Sequence, residues 1–294
     1  MQLAILADIH ANLPALEAVL KDLQGFDLDG TIVAGDLLGG PHPNETVDLI
    51  QSLDTWSIRG NGDSGLLLFD EGAAPDAWYT HRQFDLLRWT YQHIRKKTID
   101  FLKTLPDQRV VDLPGMHPIR VVHGSPRDPS ESIFPRQDPD GLAHALASIK
   151  ERVLVCAHTH QQWAYEWDGK LALNPGAVGG PLDGCIGAQY ALLTWDFRRW
   201  RAELRSVKYD IQGLAKDFRD SGLLDRGGAM ARMFLASVET GRDYAKEFLD
   251  HAYRLADESG FEDCSYIPDE IWEQAVDSFP VPQLIRPKPR GWTL

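Results

Sequence analysis

The sequence has few cysteines and no cysteine pair at metal-binding spacing. Its three cysteines, Cys156, Cys185 and Cys264, form no CxxC motif. An odd number without that spacing predicts neither a disulfide framework nor a thiolate zinc site. We therefore expect three ordinary thiols, and a chain of 294 residues can bury a core without such staples.

Long apolar runs are also missing. No run approaches the roughly 20 residues that a membrane-spanning helix needs. The first segment, MQLAILADIH, reaches Asp8 before a secretory signal could form. We predict a cytoplasmic protein with no membrane partner.

Positive charge is in deficit. The chain has 30 lysines and arginines against 43 acidic residues, which gives a formal net charge of −13. Such a chain repels phosphate backbones at long range, and this argues against general nucleic-acid binding. An anionic substrate would need a local source of positive charge.

What the sequence does contain is a recurring unit, in which a short apolar segment ends abruptly at a polar residue. Helical periodicity fills the gaps between the first units, with Asn12 and Asn44 as N-caps. Alternating strands and helices predict a parallel sheet, whose functional residues collect at the carboxyl ends of the strands. The predicted strands and the polar residues behind them are 2–7 with Asp8, 31–34 with Asp36, 55–59 with Asn61, 119–122 with His123, 153–156 with His158, and 171–173 with Asn174.

Three regions depart from this rhythm. Residues 190–195 and 201–207 alternate around a short turn and predict an antiparallel hairpin on a second sheet. Residues 64–105 have a long helical pattern, and the C-terminal region predicts three or four helices. The predicted organisation is a domain over 1–209 that contains the insertion at about 64–105, a helical extension packed on it over 210–279, and an extended tail over 280–294.

The polar residues at the strand ends form a chemically coherent set. Carboxylate, amide and imidazole groups together favour manganese, iron, cobalt, nickel or zinc. Taken singly each motif is weak, but their order and placement predict that they converge. The candidate metal ligands are Asp8, His10, Asp36, Asn61, His123, His158 and His160.

Phosphoryl transfer is the chemistry that such a set suits best. It needs an in-line nucleophile and neutralised equatorial oxygens, which two metals about 3.5–4 Å apart can provide with a metal-bound hydroxide. The positive charge of two divalent ions would exceed the negative charge of two carboxylates and a hydroxide. They would supply the local positive charge that the acidic chain lacks.

The ordered series DxH, GDxxG, GNGD, a lone His before Gly, AHTH and NPG resembles the calcineurin-like metallophosphoesterase superfamily over residues 1 to about 207. The segments HGSPRD and NPGAVGGPLDG are similar to a prokaryotic branch of small phosphodiesterase-like proteins. The resemblance implies an α/β fold, a four-layer α/β/β/α sandwich. It also implies two divalent ions, with manganese as the first choice and iron, zinc, nickel or cobalt as alternatives. By resemblance, Asp8, His10 and His160 bind the first metal, Asp36 bridges, and Asn61, His123 and His158 bind the second.

Two positions depart from the family pattern. Ala157 replaces the Gly of GHxH, which is tolerated unless that position needs a positive φ. Gly62 replaces the His of GNH(D/E), which in the family contacts the scissile phosphate and assists the leaving group. Its loss weakens catalysis on esters with poor leaving groups. Asp63 of the same motif remains.

Other residues could replace the missing group. Arg127 in HGSPRD, or His81 or Arg82 in the insertion, are candidates to reach the phosphate. The predicted catalytic residues are Asp36, Asn61, Asp63 and Arg127.

The predicted function is hydrolysis of small phosphodiesters or phosphoanhydrides that resemble nucleotides. The runner-up is a monoesterase like the serine/threonine protein phosphatases, which the missing His at Gly62 disfavours. A scaffold that has lost catalysis is the alternative from another class, but scaffolds tend to lose metal ligands, and all seven are present here. The partner is a small phosphorylated substrate, and a homodimer remains an open option.

Overall fold

The computed structural model describes residues 1–261, 263 and 265–280. Within them, the strands form two five-stranded sheets. The strands are β1 (Gln2–Leu6), β2 (Gly30–Ala34), β3 (Trp56–Ile58), β4 (Gln108–Val111), β5 (Ile119–Val122), β6 (Val153–Val155), β7 (Gln162–Trp167), β8 (Lys170–Pro175), β9 (Ala188–Trp195) and β10 (Trp200–Val207).

The helices fall between the strands and after them. Asn12 caps the first one, because its side-chain oxygen accepts a hydrogen bond from the amide of Ala15 at 3.2 Å. None of the described helices is long and apolar enough to cross a membrane. The helices are α1 (Leu13–Leu23), α2 (Pro43–Ser52), α3 (Asn61–Asp70), α4 (Asp76–Thr80), α5 (Asp85–His93), α6 (Lys96–Thr104), α7 (Pro139–Ala147), α8 (Ile211–Asp220), α9 (Leu223–Arg226), α10 (Gly228–Thr240), α11 (Tyr244–Glu258) and α12 (Asp269–Ser278), with a 3₁₀ turn at Arg82–Phe84.

Each sheet mixes parallel and antiparallel pairs. The first has the order β10-β9-β1-β2-β3 and the second β4-β5-β6-β8-β7. The strands predicted to lie in a parallel sheet are divided between two mixed sheets, because β5, β6 and β8 belong to the second sheet. The hairpin β9–β10 was also misplaced, since β9 pairs antiparallel with β1 in the first sheet.

The two sheets face each other and helices cover their outer faces. Along β1, Leu3 and Ile5 point into the core between the sheets. The alternate residues Ala4 and Leu6 pack against the helices of the outer layer. Helix α7 covers the other sheet through Leu142 and its neighbours. This order confirms the predicted four-layer α/β/β/α sandwich.

The insertion is a chain of short helices, α3 to α6, rather than one long helix. Helix α5 packs against the C-terminal helices, where Trp89 shares a buried cluster with Leu214, Phe218 and Leu235. The described part of the C-terminal region holds five helices, α8 to α12, where three or four were predicted. Both segments therefore lie together on one side of the sandwich.

Some segments were absent from the sequence prediction, namely β4, β7 and α7. Of the predicted thiols, Cys156 is buried, which raises the pKa of its thiol, and Cys185 is exposed. Cys264 and residues 281–294 of the predicted tail lie outside the described residues.

Candidate metal centre

Polar side chains from both sheets meet at one end of the sandwich. Asp8 follows β1 and Asp36 follows β2, and the Asp8 amide donates to the carbonyl of Gly35 at 3.0 Å. From the second sheet, His123 follows β5 and His158 lies three residues beyond β6. The His158 amide donates to Oδ2 of Asp8 at 3.1 Å, so a hydrogen bond joins the two sheets at this point.

The backbone at these strand ends adopts an unusual conformation. Asp8, His10, Asp36, His158 and His160 all have positive φ, between 49° and 67°. Left-handed conformations are costly for residues with a Cβ and gather at functional sites. Five of the seven predicted ligands are therefore carried on strained turns.

Ala157 does not share this feature. Its φ is outside the left-handed region, although those of its neighbours at 158 and 160 are inside it. The alanine in place of glycine thus adds no backbone strain.

The ligand atoms form two overlapping groups. Asp8, His10 and His160 make one, and Asp8, Asp36 and His123 make the other, with the ligand atoms of each within 4.8 Å of one another. Oδ1 of Asp8 lies 3.5 Å from Nε2 of His160 and 3.8 Å from Nε2 of His123. Oδ2 of Asp36 lies 3.5 Å from Nε2 of His123 and 3.8 Å from Nε2 of His10. Both carboxylates, not Asp36 alone, thus stand between the histidines.

Three of the histidines are oriented by backbone carbonyls. A carbonyl oxygen can only accept, so each Nδ1 carries a proton, and in the neutral ring Nε2 has a lone pair available for a cation. The three hydrogen bonds are His10 to Leu38 at 3.0 Å, His123 to Ala34 at 2.8 Å and His160 to Gly180 at 2.6 Å. Sequence reasoning could not find these carbonyls, because a backbone group has no residue-type signal.

Several buried polar atoms of the cluster have no hydrogen-bond partner among the described residues. They are Oδ1 of Asp8, Oδ1 of Asn61 and Nε2 of His123. Burial without a partner costs on the order of 1–3 kcal/mol per polar group. Bound divalent ions would give these atoms partners, so the donor set fits metal binding.

The electrostatics of the cluster also favour positive charge. Burial alone would lower the pKa of His123, but the carboxylates of Asp36 and Asp8 raise it to about 10. Burial would raise the pKa values of Asp8 and Asp36, yet the neighbouring imidazoles hold both below their usual range. The two buried carboxylates therefore remain charged and are paired with positive charge, which a protonated His123 supplies when no ion is bound.

Asn61 and His158 stand next to these two groups. Asn61 begins α3 and lines the same cavity as His10 and Asp36. The His158 ring meets the His123 ring edge-on, with 5.3 Å between centroids, but it belongs to neither group.

The Asp63 side chain holds two turns of the site in position. It is fully buried, and its carboxylate accepts hydrogen bonds from the amides of Leu37 and Gly60, each at 3.0 Å. Burial, together with the charge of Asp36, raises the pKa of Asp63 to about 7. It ties the turn after β2 to the turn after β3.

The three side chains suggested as substitutes for the missing histidine are engaged elsewhere. Nε of Arg127 donates to Glu131 at 3.1 Å. His81 lies 3.5 Å from Asp269, and Arg82 pairs with Glu273, both on α12. Residue pattern alone could not reveal these partners, which for His81 and Arg82 lie almost two hundred positions along the chain.

Comparison with known proteins places the chain in a family. Residues 1–197 match the family model described as the calcineurin-like phosphoesterase superfamily domain. The protein MJ0912 of Methanocaldococcus jannaschii is 31% identical over 223 residues, which is 71% of this chain and 88% of that protein. A solved metallophosphoesterase of Sphaerobacter thermophilus is 27% identical with a TM-score of 0.66, covering 82% of this chain and all of that one.

A second solved structure shares the fold. PH1004 of Pyrococcus horikoshii is 23% identical with a TM-score of 0.65, and the alignment covers 76% of this chain and 94% of that one. The order of motifs, the converging ligand groups and the match over residues 1–197 agree. This chain belongs to the calcineurin-like phosphoesterase superfamily.

Proposed function

We propose that the chain hydrolyses small phosphodiesters or phosphoanhydrides of the nucleotide-like class, using two divalent ions with manganese as the first choice. Family membership makes it a hydrolase of phosphoric esters. The observation that carries the finer proposal is the pair of ligand groups that share Asp8. A single ion would leave one of the two groups unfilled.

The predicted ligands would be divided between the two ions. Asp8, His10 and His160 would hold the first ion, and Asp36 would be a ligand of both ions. Bound divalent ions supply positive charge toward the phosphate and lower the pKa of a water molecule. The chain's own part is orientation, because backbone carbonyls fix three imidazole rings and Asp63 fixes the turns that carry Asp36 and Asn61. The proposed ligands of the second ion are Asn61, His123 and His158.

Position 62 favours a diester over a monoester. Gly62 lines the cavity beside the cluster and offers no proton donor to a leaving group. A diester carries one negative charge and a monoester two, so the monoester depends more on added donors and positive charge. A monoesterase like the protein phosphatases is the outcome that a substrate comparison would reveal instead.

The test combines elemental analysis with kinetics. Protein reconstituted with manganese should hold about two ions per chain, and kcat/KM should be higher for bis(p-nitrophenyl) phosphate than for p-nitrophenyl phosphate. Asp36→Asn should lose manganese and activity together, because this carboxylate lies within 4 Å of histidines from both groups. Asp112→Asn, at an exposed position, is the matched control.

Two results would contradict the proposal. Fewer than one ion per chain after reconstitution would remove the two-metal mechanism. A clear preference for the monoester would show that another group replaces the missing histidine. Cytoplasmic location and a homodimeric state remain predictions.

A further inference from the structure

A cavity of about 280 Å³ adjoins the ligand cluster. His10, Asp36 and Asn61 form the wall on the side of the cluster. Leu38, Gly39 and Gly62 continue this side, and the opposite wall is built by the insertion and by α10, two segments that lie far apart in the sequence. Its hydrocarbon side chains include Phe84, Leu86, Leu87 and Met230.

The two polar side chains in this second wall, Gln83 and Thr90, are hydrogen-bonded within the protein. Oε1 of Gln83 accepts from the amide of Ile267 at 2.8 Å, and its Nε2 donates to the hydroxyl of Tyr253 at 3.2 Å. Oγ1 of Thr90 donates to the carbonyl of Leu86 at 2.9 Å. Away from the cluster, the cavity therefore presents hydrocarbon to whatever enters it.

Charge is confined to the cluster end. Among the described residues that line the cavity, none is lysine or arginine. A second phosphate or a carboxylate in the cavity would lose its hydration without gaining a cationic partner. The cavity thus discriminates against polyanions.

Its size suits a ring. An apolar cavity of about 150 Å³ is enough to take a benzene molecule, so this space can hold one ring with substituents or a fused pair. Gly62 keeps the connection to the cluster open. A Cβ at that position would lie 3.2 Å from Oδ1 of Asp36, and any larger side chain would fill part of the cavity.

We propose that this cavity binds an uncharged, apolar, ring-sized organic group of the substrate while the phosphate lies at the ligand cluster. The inference rests on the proposed hydrolysis of small phosphodiesters, and it replaces nucleotide-like substrates with esters of an apolar group. A nucleobase needs several hydrogen-bond partners along its polar edge, whereas Gln83 and Thr90 are already engaged within the protein and have only one amide N–H and some acceptor lone pairs left to offer. An aryl or bulky alkyl ester is therefore preferred to a nucleotide.

Binding of simple phosphonates tests this without relying on turnover. Manganese-reconstituted full-length protein is titrated calorimetrically with methylphosphonate, phenylphosphonate and 4-carboxyphenylphosphonate. Phenylphosphonate should bind about tenfold more tightly than methylphosphonate, because burial of part of a ring supplies this gain. The carboxylated ring should lose that gain.

A variant pair localises the effect. Met230→Gln should abolish the preference for the phenyl group. Met116→Gln, which alters a half-buried methionine against the core between the sheets, should retain it. Each variant's thermal midpoint is measured first, and the wild-type comparison stands alone if Met230→Gln does not fold.

The possible results separate the two proposals. Equal affinity for methyl- and phenylphosphonate, or no binding of either, overturns the apolar-group inference even if phosphodiesters are hydrolysed. Preferential phenyl binding by a protein that hydrolyses no phosphate ester supports the cavity and sinks the proposed function. Equal binding of phenyl- and 4-carboxyphenylphosphonate overturns the exclusion of charge.

Discussion

A single missing side chain distinguishes this site from the pattern it resembles. Gly62 lies in the first turn of α3, where its amide donates to Oδ1 of Asp36 at 2.9 Å. That hydrogen bond needs no side chain, so glycine still supports the carboxylate. What glycine cannot do is present a proton donor to the ester.

Restoring a donor at this position should shift substrate preference. We expect Gly62→His to raise the kcat/KM ratio of p-nitrophenyl phosphate to bis(p-nitrophenyl) phosphate by roughly tenfold or more, since general acid catalysis contributes on that scale. Gly62→Leu adds a side chain of similar bulk that cannot donate a proton, so it should not raise the ratio. If both variants behave alike, bulk rather than proton donation governs the preference.

Asn12 shows how one polar residue can serve two elements. Besides capping α1, its Nδ2 donates to the carbonyl of Gly179 at 2.8 Å and to the hydroxyl of Tyr209 at 2.9 Å. The side chain is almost fully buried. Its role as a cap was predicted from sequence, but its two distant partners were not, because they are separated from it by more than 160 positions.

Loss of this side chain should be costly. Asn12→Ala removes a cap and leaves buried groups unpaired, so the free energy of unfolding should fall by about 1–3 kcal/mol. Guanidinium denaturation measures the change in the free energy of unfolding, provided that its dependence on denaturant concentration is the same in both proteins. Gln24→Ala, at the exposed end of the same helix, should change it by less than about 0.5 kcal/mol. Comparable losses in both variants would contradict the bridging role of Asn12.

At the scale of elements, the sequence predicted the ends of the strands better than the sheet to which each strand belongs. Each apolar run that ends in Asp8, Asp36 or His123 is a strand in the structure. The apolar run and the abrupt polar residue are local signals, so they survive in a single sequence. Assignment to a sheet depends on pairing partners, and the pattern of the hairpin β9–β10 gives no sign that β9 pairs with β1.

The insertion was hard to predict for a related reason. Its apolar residues have helical spacing, but they pack in different directions, with α3 and α6 in the cluster on the outer face of the first sheet and α5 between that cluster and α8 to α10. Breaks at Pro75 and His81 redirect the chain between these surfaces. Periodicity reports an apolar face but not the neighbour that covers it.

The cluster that joins α5 to the C-terminal helices should be essential for stability. Phe218 is fully buried within it, and Phe218→Ala should lower the free energy of unfolding by about 3–5 kcal/mol through the cavity it leaves. Phe197→Ala is the matched control, because that ring is 92% exposed on a hairpin turn. Thermal or denaturant unfolding measures both. A small effect at Phe218 would mean that the C-terminal helices contribute little to the fold.

At the scale of the whole molecule, charge opposes the substrate that the site attracts. The net charge of −13 repels an anion at a distance, while the proposed ions attract it nearby. The two fields differ in range and respond differently to salt. The sequence alone revealed this conflict, since net charge requires no structure.

Ionic strength should therefore change the encounter rate. Raising salt from about 0.01 M to 0.15 M shortens the screening length from about 30 Å to about 8 Å, so kcat/KM for an anionic ester should rise by roughly twofold as repulsion is screened. The rise should be steeper for dianionic p-nitrophenyl phosphate than for the monoanionic diester. A fall in kcat/KM with salt would show that the local positive field already dominates at long range.

The left-handed turns that carry Asp8, His10, Asp36, His158 and His160 have a consequence for protein design. A scaffold whose strands end with ordinary negative φ would aim the same side chains in other directions. Copying the ligand identities onto another sheet would therefore not copy the site. A successful transplant would have to move the turns with their strain, at a cost on the order of 1–3 kcal/mol for each residue held in this conformation. The recipient would need a core stable enough to absorb that cost before any ion binds.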